Sequence, residues 1–587
     1  MEKSINIPLF NRLIVCLGIA TAVLLLSSCA EQKTTFQAPL FETIGDYRMN
    51  ATTASEDAKR FFDQGMIFTY GFNHGEAARS FREAIRLDSN FVMAYWGLAY
   101  TLGPNYNAPL DIASRKEIMW AVNKSLSLKH TVADLERRLV EASAVKYSAD
   151  IEEPQLVSFA NSMKDLSMAY PENADVATLY AEALMLQHPW DLYEYKGGPA
   201  RDWTPEIKRA LDQALNINPK HPLANHLNIH ATEAASWPEL GMKSAGELRS
   251  LIIPGAGHLV HMPSHTYINT GDYHLGTLVN LDAVEADSIY SAQCVAQGAF
   301  PLYYYHNYHF LAACAALEGR GALAIESSFK MVQTIDQSLL GVPGFETTQH
   351  FMTIPYNVLV KFAQWERILI LSAPDVRFPY LTTLWHYARG MAYANLNQLS
   401  SASKELQNLN DVQNGAGFDE FLIFGINSGQ TVVNIASKVL EAEIAQKTLD
   451  FEKAELLLTE AVEIEDSMSY NEPPDWFFSV RHLLGELYMR QNRFNDAEIV
   501  YKQDLKNFPK NGFALNGLYH SLVAQNRHAE AKKVRQQLEI AWSFSDIILK
   551  FSRIDEDLRQ DLELQIVENS PTEMIRLAAS FCGPIAK

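Results

Sequence analysis

Small, apolar and aromatic positions recur along this chain at one spacing. Gly65, Phe68, Ala77, Phe81 and Ala84 precede a polar break at residues 87–90, and 34 residues beyond Gly65 comes Ala99, within Tyr95-Trp96-Gly97-Leu98-Ala99. The same slots return as Leu484, Gly485, Tyr488, Ala497, Tyr501 and Pro509, and again as Leu518, Leu522 and Ala531. Gly390, Tyr393, Ala402 and Leu406 form a further copy, and Ala442, Ala454, Leu458 and Ala461 another. Weaker copies end at Pro171, Pro219 and Pro254, and one centres on Gly319 and Ala324. Within each copy the apolar residues fall on one face of a helix. No stretch is β-rich enough to argue for a sheet domain. Residues 408–430, rich in Gly, Asn and Asp, are expected to form a long inter-repeat loop.

A small residue in a first helix, an Ala where the second helix crosses it, an aromatic one turn on and a break near the repeat end make up the tetratricopeptide (TPR) pattern. The expected fold is all-α, an α-solenoid of about eleven TPR-like helical hairpins. Gly and Ala let the paired helices approach closely, and the aromatics fill the space between neighbouring pairs. The array divides into an N-terminal part at residues 58–375 and a C-terminal part at 376–545. Residues 546–587 are expected to supply the capping helices that the last repeat needs.

Against this register the histidines become informative. Residues 221–309 hold nine of the seventeen, seven of them in three groups: His226 and His230; His258, His261 and His265; His306 and His309. If Pro219 closes a repeat, the next first helix begins near Pro222, and His226, His230 and Glu233 occupy its positions 5, 9 and 12. The same counting from Pro254 and back from Ala324 puts His258, His261 and His265 at 2, 5 and 9, and His306 and His309 at 2 and 5. In TPR proteins these positions line the concave groove, so three consecutive repeats aim seven imidazoles and one carboxylate into one trough. Pro263 interrupts the second group: either the helix kinks there, or it starts at Pro263 and His258 and His261 precede it.

Lys3 and Arg12 flank a polar start, and a near-continuous apolar run at residues 13–26 is too short to span a bilayer and reads as a signal peptide. Leu26-Ser27-Ser28-Cys29 closes it and resembles the bacterial lipobox, which implies removal of residues 1–28 and acylation of Cys29. Ala30 after that Cys, rather than Asp, implies release to the outer membrane of the cell envelope. Residues 29–57 then form a tether, polar and Thr-rich, with a coil-like reach of about 30 Å. The net charge of −20 becomes −21 once Lys3, Arg12 and Glu2 are gone. So acidic a surface repels phosphate backbones and anionic headgroups, which argues against nucleic acid and leaves the lipid as the membrane attachment. Cys294, Cys314 and Cys582 are no disulfide framework; a Cys294–Cys314 bridge is possible, but the spacing does not demand it.

Beyond the repeat, residues 70–74, 102–107, His188-Pro189-Trp190-Asp191, the Asn-His-x3-His group and residues 254–265 resemble a family of long bacterial TPR proteins. The resemblance covers roughly residues 60–310 and implies a fold, not a reaction. Two functions follow from the residues. One is a lipid-anchored interaction scaffold holding a protein or peptide partner in its groove. The other is a metal-binding protein or metal-dependent enzyme, since imidazoles with a carboxylate are ligands for zinc, iron, nickel or copper. Its candidate ligands are His226, His230, Glu233, His258, His261, His265, His306 and His309, with His188, Trp190 and Asp191 as further groove candidates. A third, capture of glycans at the outer membrane, fits the anchor but has no motif behind it. The chain has no phosphate loop, no G-x-S-x-G and no H-E-x-x-H, so no catalytic residue can be assigned.

Acylation has a direct check. Fatty-acid labelling and recovery in the membrane fraction should both be lost in Cys29→Ser, and equal label in the two proteins would refute the anchor.

Overall fold

The structure, a computed structural model, describes residues 38–147, 153–249, 253–293 and 300–554. The signal segment 1–28, residues 29–37 of the tether with Cys29, Cys294, Cys582 and residues 555–587 of the expected cap lie outside the described residues, while in the rest of the tether Phe41, Ile44 and Met49 are buried against the array. The helical array belongs to the unit that begins at Leu40.

Consecutive helices pack as hairpins: Glu56–Tyr70 with His74–Leu87, Pro379–Asn395 with Leu399–Ala416, Gly429–Lys447 with Phe451–Ser467, and Arg481–Arg490 with Phe494–Asn507. The chain is an all-α array of TPR-like hairpins. Polar residues open the helices where their first amides need acceptors; Ser55, Asn73 and Asn511 each take the backbone N–H three residues on. No helix among the described residues is long and apolar enough to cross a membrane.

The small slots of the repeat are points of helix contact. Phe81 projects from its second helix between Gly65 and Gly97, where an added Cβ would come within 2.8 and 2.4 Å of the ring. Tyr501 does the same between Gly485 and Gly517, at 2.4 and 2.2 Å. One buried ring thus fills the gap between the first helix of its own hairpin and that of the next, and only glycine leaves room for it.

The array coils tightly enough that late repeats touch early ones. Lys510 Nζ lies 2.8 Å from Asp272 Oδ1, and Lys196 Nζ donates to the Asn507 carbonyl at 3.3 Å. A Cβ on Gly271, whose φ is +75°, would stand 2.2 Å from the Pro509 carbonyl oxygen. The trough expected to lie open on its concave side is therefore covered, beside the histidines, by residues from the C-terminal half.

Several local expectations are corrected. The loop expected at 408–430 is helical as far as Ala416, because Leu409 and Val412 pack on the core and no Pro intervenes; Gly417, at φ +66°, ends it. A two-stranded hairpin, Leu422–Ile423 against Asn427–Ser428, follows. The stretch 546–554, where capping helices were expected to begin, is not helical. Asp546 instead accepts hydrogen bonds from the amides of Gly321 (2.6 Å) and Ala322 (3.1 Å), capping the helix Gly321–Thr334 in the middle of the array. The anionic carboxylate meets free amides at a helix start, which a solenoid end could not offer it.

Gly517→Ala should destabilise the protein by about 1–3 kcal/mol, since Tyr501 must leave its slot. Urea unfolding measures this, and an unchanged midpoint would contradict the wedge.

Candidate metal centre

Three elements carry the histidines inward. Helix Pro222–His230 starts on His221, whose Nδ1 accepts from the Ala224 amide at 3.2 Å, and its regular turns stack His226 and His230 on one face. Pro263 bends the second segment rather than leaving His258 in a loop: Gly257–His261 is helical, Met262 keeps helical angles, and Pro263 opens Pro263–Thr270. His306 projects from the long helix Phe300–Leu317. Asp287 ties the last two together, with Asn307 Nδ2 at 2.7 Å and the Gly257 amide as its donors.

His226, His230, His258, His261, His265 and His306 form a ring of neighbouring imidazoles. Their centroids lie 5.0 Å apart for His226–His230, 5.1 Å for His226–His258 and 5.5 Å for His258–His261. The circuit closes through His261–His306 at 4.9 Å, His265–His306 at 5.7 Å and His230–His265 at 5.5 Å. The first five are at most 3% exposed, while His306 is half-buried at the edge of a cavity.

Hydrogen bonds fix which nitrogen carries the proton. His226 Nδ1 lies 2.7 Å from the Tyr70 carbonyl, an acceptor only, so it donates and Nε2 keeps its lone pair. His230 Nδ1 likewise donates to Glu233 Oε1 at 3.0 Å. His261 Nδ1 lies 2.7 Å from Asn280 Oδ1, and that amide is oriented by its own donation to the Gly276 carbonyl. His265 Nδ1 sits between two carboxylates, 2.8 Å from Glu233 Oε2 and 2.9 Å from Glu472 Oε2. Its Nε2 faces His261 Nε2 at 2.9 Å.

Four Nε2 atoms consequently point into the ring. Among the described residues, His226 Nε2, His230 Nε2, both nitrogens of His258 and His306 Nδ1 have no hydrogen-bond partner. Each such buried atom costs about 1–3 kcal/mol if left unpaired. Burial, reinforced by the neighbouring imidazoles, holds the pKa values of His226, His258, His261 and His306 well below the ordinary histidine value, so these rings are neutral ligand forms at pH 7. For His265 burial acts in the same direction, but Glu233 and Glu472 outweigh it and raise the pKa. Burial would raise that of Glu233, and His230 and His265 overcome it and keep the carboxylate ionised.

Donor atoms of three trios lie within 4.8 Å of one another: His226, His230 and His258; His261, His265 and His306; and His230, Glu233 and His265. Glu233 lies beyond the end of its helix, which stops at His230 instead of running on to position 12. The other candidates separate. His309 turns away to stack on Phe477 (5.2 Å, 15°), with His350 edge-on to it at 6.1 Å, and is no member of the ring. His188 stacks on Trp203, and Asp191 pairs with Arg201 at 2.9 Å; both serve the turn. Trp190 does reach the site, edge-on to His230 at 5.4 Å.

Sequence reasoning missed Glu472, Asn280 and Tyr70. Glu472 arrives from the C-terminal half, held by Tyr470 and Asn269, which both donate to its Oε1. A cavity of about 620 Å³ adjoins the ring, with His230, His258, His265 and His306 in its wall and Trp190, Tyr303, Phe345 and Phe424 around them. Phe424 comes from the small β-hairpin, so the segment expected to be a loop roofs the site.

No family model and no curated protein matches the chain. Among solved structures it is similar to a human IFIT1 dimer with m7Gppp-AAAA, at 11% identity and a TM-score of 0.29, over 84% of this chain and 91% of that one. It is also similar to yeast Tom70, at 14% identity and a TM-score of 0.27, over 82% and 96%. Such likenesses say nothing of what this chain binds.

Asp287 gives a pH test. Burial raises its folded-state pKa from 3.8 to about 7, so its contribution to stability is complete below pH 4 and is lost as pH rises through 7. The stability difference between wild type and Asp287→Asn should shrink by roughly 1–4 kcal/mol between pH 4 and 8. A pH-independent difference in urea unfolding would exclude this.

Proposed function

We propose that this chain is an exported, lipid-anchored protein that binds a transition metal in its buried histidine ring. One observation carries the reading: the Nε2 atoms of His226 and His230, left unprotonated by the hydrogen bonds their rings donate on the other side, converge with the unpartnered His258 in a buried space and have no partner there. An ion resolves that cost, and the outer contacts to Tyr70, Glu233 and Asn280 are the kind that orient metal-bound histidines. All-imidazole donors suit zinc, copper, iron or nickel. The apolar run and Leu-Ser-Ser-Cys motif before residue 30 support export and anchoring at the outer membrane.

An interaction scaffold is the second reading, supported by the TPR-like hairpin fold. It applies to surfaces away from the ring, because C-terminal residues cover the trough beside the histidines and an extended peptide could not reach them.

Protein purified without chelators should carry at least one equivalent of a transition metal, and re-adding that metal to stripped protein should raise Tm. His226→Ala/His230→Ala should lower the metal content and reduce that shift without loss of helicity by circular dichroism. Less than stoichiometric metal, with no metal stabilising the protein, would leave the scaffold reading alone.

A further inference from the structure

Two of the three trios share no residue, and between them they use all six imidazoles of the ring. His226, His230 and His258 form one; His261, His265 and His306 form the other. The third trio is built from one member of each and Glu233, whose two oxygens are already engaged. Oε1 accepts a hydrogen bond from His230 Nδ1 at 3.0 Å, and Oε2 faces Nδ1 of His265 at 2.8 Å. Glu233 therefore stands behind both trios and orients one imidazole of each through the nitrogen that does not face the ring.

The donor spacings suit one ion per trio. Nitrogens about 2.0–2.1 Å from a common ion stand about 2.9 Å apart at a right angle and up to about 4 Å apart when opposed. His261 Nε2 and His265 Nε2 are 2.9 Å apart, and the donors of each trio lie within 4.8 Å of one another, less than 1 Å beyond that range. The trios abut at His258–His261 and at His230–His265, both 5.5 Å between centroids, so the separation of about 3.5–4 Å found in two-metal sites is within reach.

Both trios also border the same cavity, the first through His230 and His258 and the second through His265 and His306. Three protein donors leave a transition metal at least one free coordination position. Building on the metal-binding reading, we propose that the ring holds two transition-metal ions, one on each histidine trio, whose free positions face the cavity and together grip the oxygen donor of a small molecule with an apolar, ring-sized body. The cavity volume lies within the range of small-molecule sites, and Trp190, Tyr303 and Phe424 offer faces against which a flat body packs. A bridging oxygen between the ions satisfies both free positions at once, which a single-ion site could not offer.

The test uses the full chain, stripped of metal and reconstituted with Cu(II), with bound copper counted and electron paramagnetic resonance recorded. Wild type should take up two equivalents, with a signal well below that expected for the copper present because close ions couple magnetically. His226→Ala/His258→Ala and His261→Ala/His306→Ala should each take up one, with a full uncoupled signal. Phenol should perturb the visible spectrum of the two-copper protein saturably and have at least tenfold less effect on either double variant. One equivalent in the wild type, or two uncoupled ones, overturns the two-ion proposal while metal binding stands; no copper or other transition metal bound overturns both. Coupled ions that phenol does not perturb overturn the ligand class.

Discussion

The close approach of helices at glycine positions, with one aromatic ring wedged between successive hairpins, is the constraint on which the rest of the molecule depends. Phe81 between Gly65 and Gly97, and Tyr501 between Gly485 and Gly517, leave no slack at their contacts. Close-packed interiors transmit such local geometry with little give. The rotation from one hairpin to the next is set by these wedges, and it brings the repeats around residue 510 back against the turn at residue 271.

That return makes the histidine ring a joint product of the two halves. Helix Pro222–His230 and the bent pair Gly257–His261 and Pro263–Thr270 supply five imidazoles, the turn after the first of them supplies Glu233, and Glu472 crosses from the late repeats to meet His265. Lys196, between the rings of Tyr470 and Phe508, stands at the same junction, its pKa lowered by burial against the opposing pull of Glu472 and Glu233. A solenoid normally offers only neighbour-to-neighbour contacts. Here the coil adds contacts between residues some two hundred positions apart, and the site lies among them.

Much of the fold was legible because packing between hairpins repeats at a fixed interval, so Gly65, Gly97, Gly485 and Tyr501 betray it in one dimension. His226, His230, His258, His261 and His265 were legible as a group for the same reason, since register alone puts them on inward faces. His309 was misplaced because sequence spacing gives a direction around the helix axis and not the partner waiting there, which is Phe477. Glu472, Asn280 and Phe424 left no periodic trace. Their contribution depends on how the superhelix closes, a quantity summed over many wedges. Residues 408–416 misled through composition: Asn, Asp and Gly are poor helix formers, and Leu409 and Val412 decided the outcome by finding apolar neighbours.

Asp546 closing the start of helix Gly321–Thr334, with Trp542 Nε1 donating to the Leu317 carbonyl at 2.9 Å, has a consequence for how the protein is made. A chain grown from its N-terminus exposes the three histidine segments long before residues 472, 542 and 546 have been synthesised. Until those arrive, the nascent polypeptide has hairpins but neither the carboxylate that faces His265 nor the late residues that pin the middle of the array. Assembly of the pocket therefore waits for residues made long after the histidines, and a product cut short before residue 472, however helical, would not reproduce the environment in which the longer polypeptide holds its imidazoles.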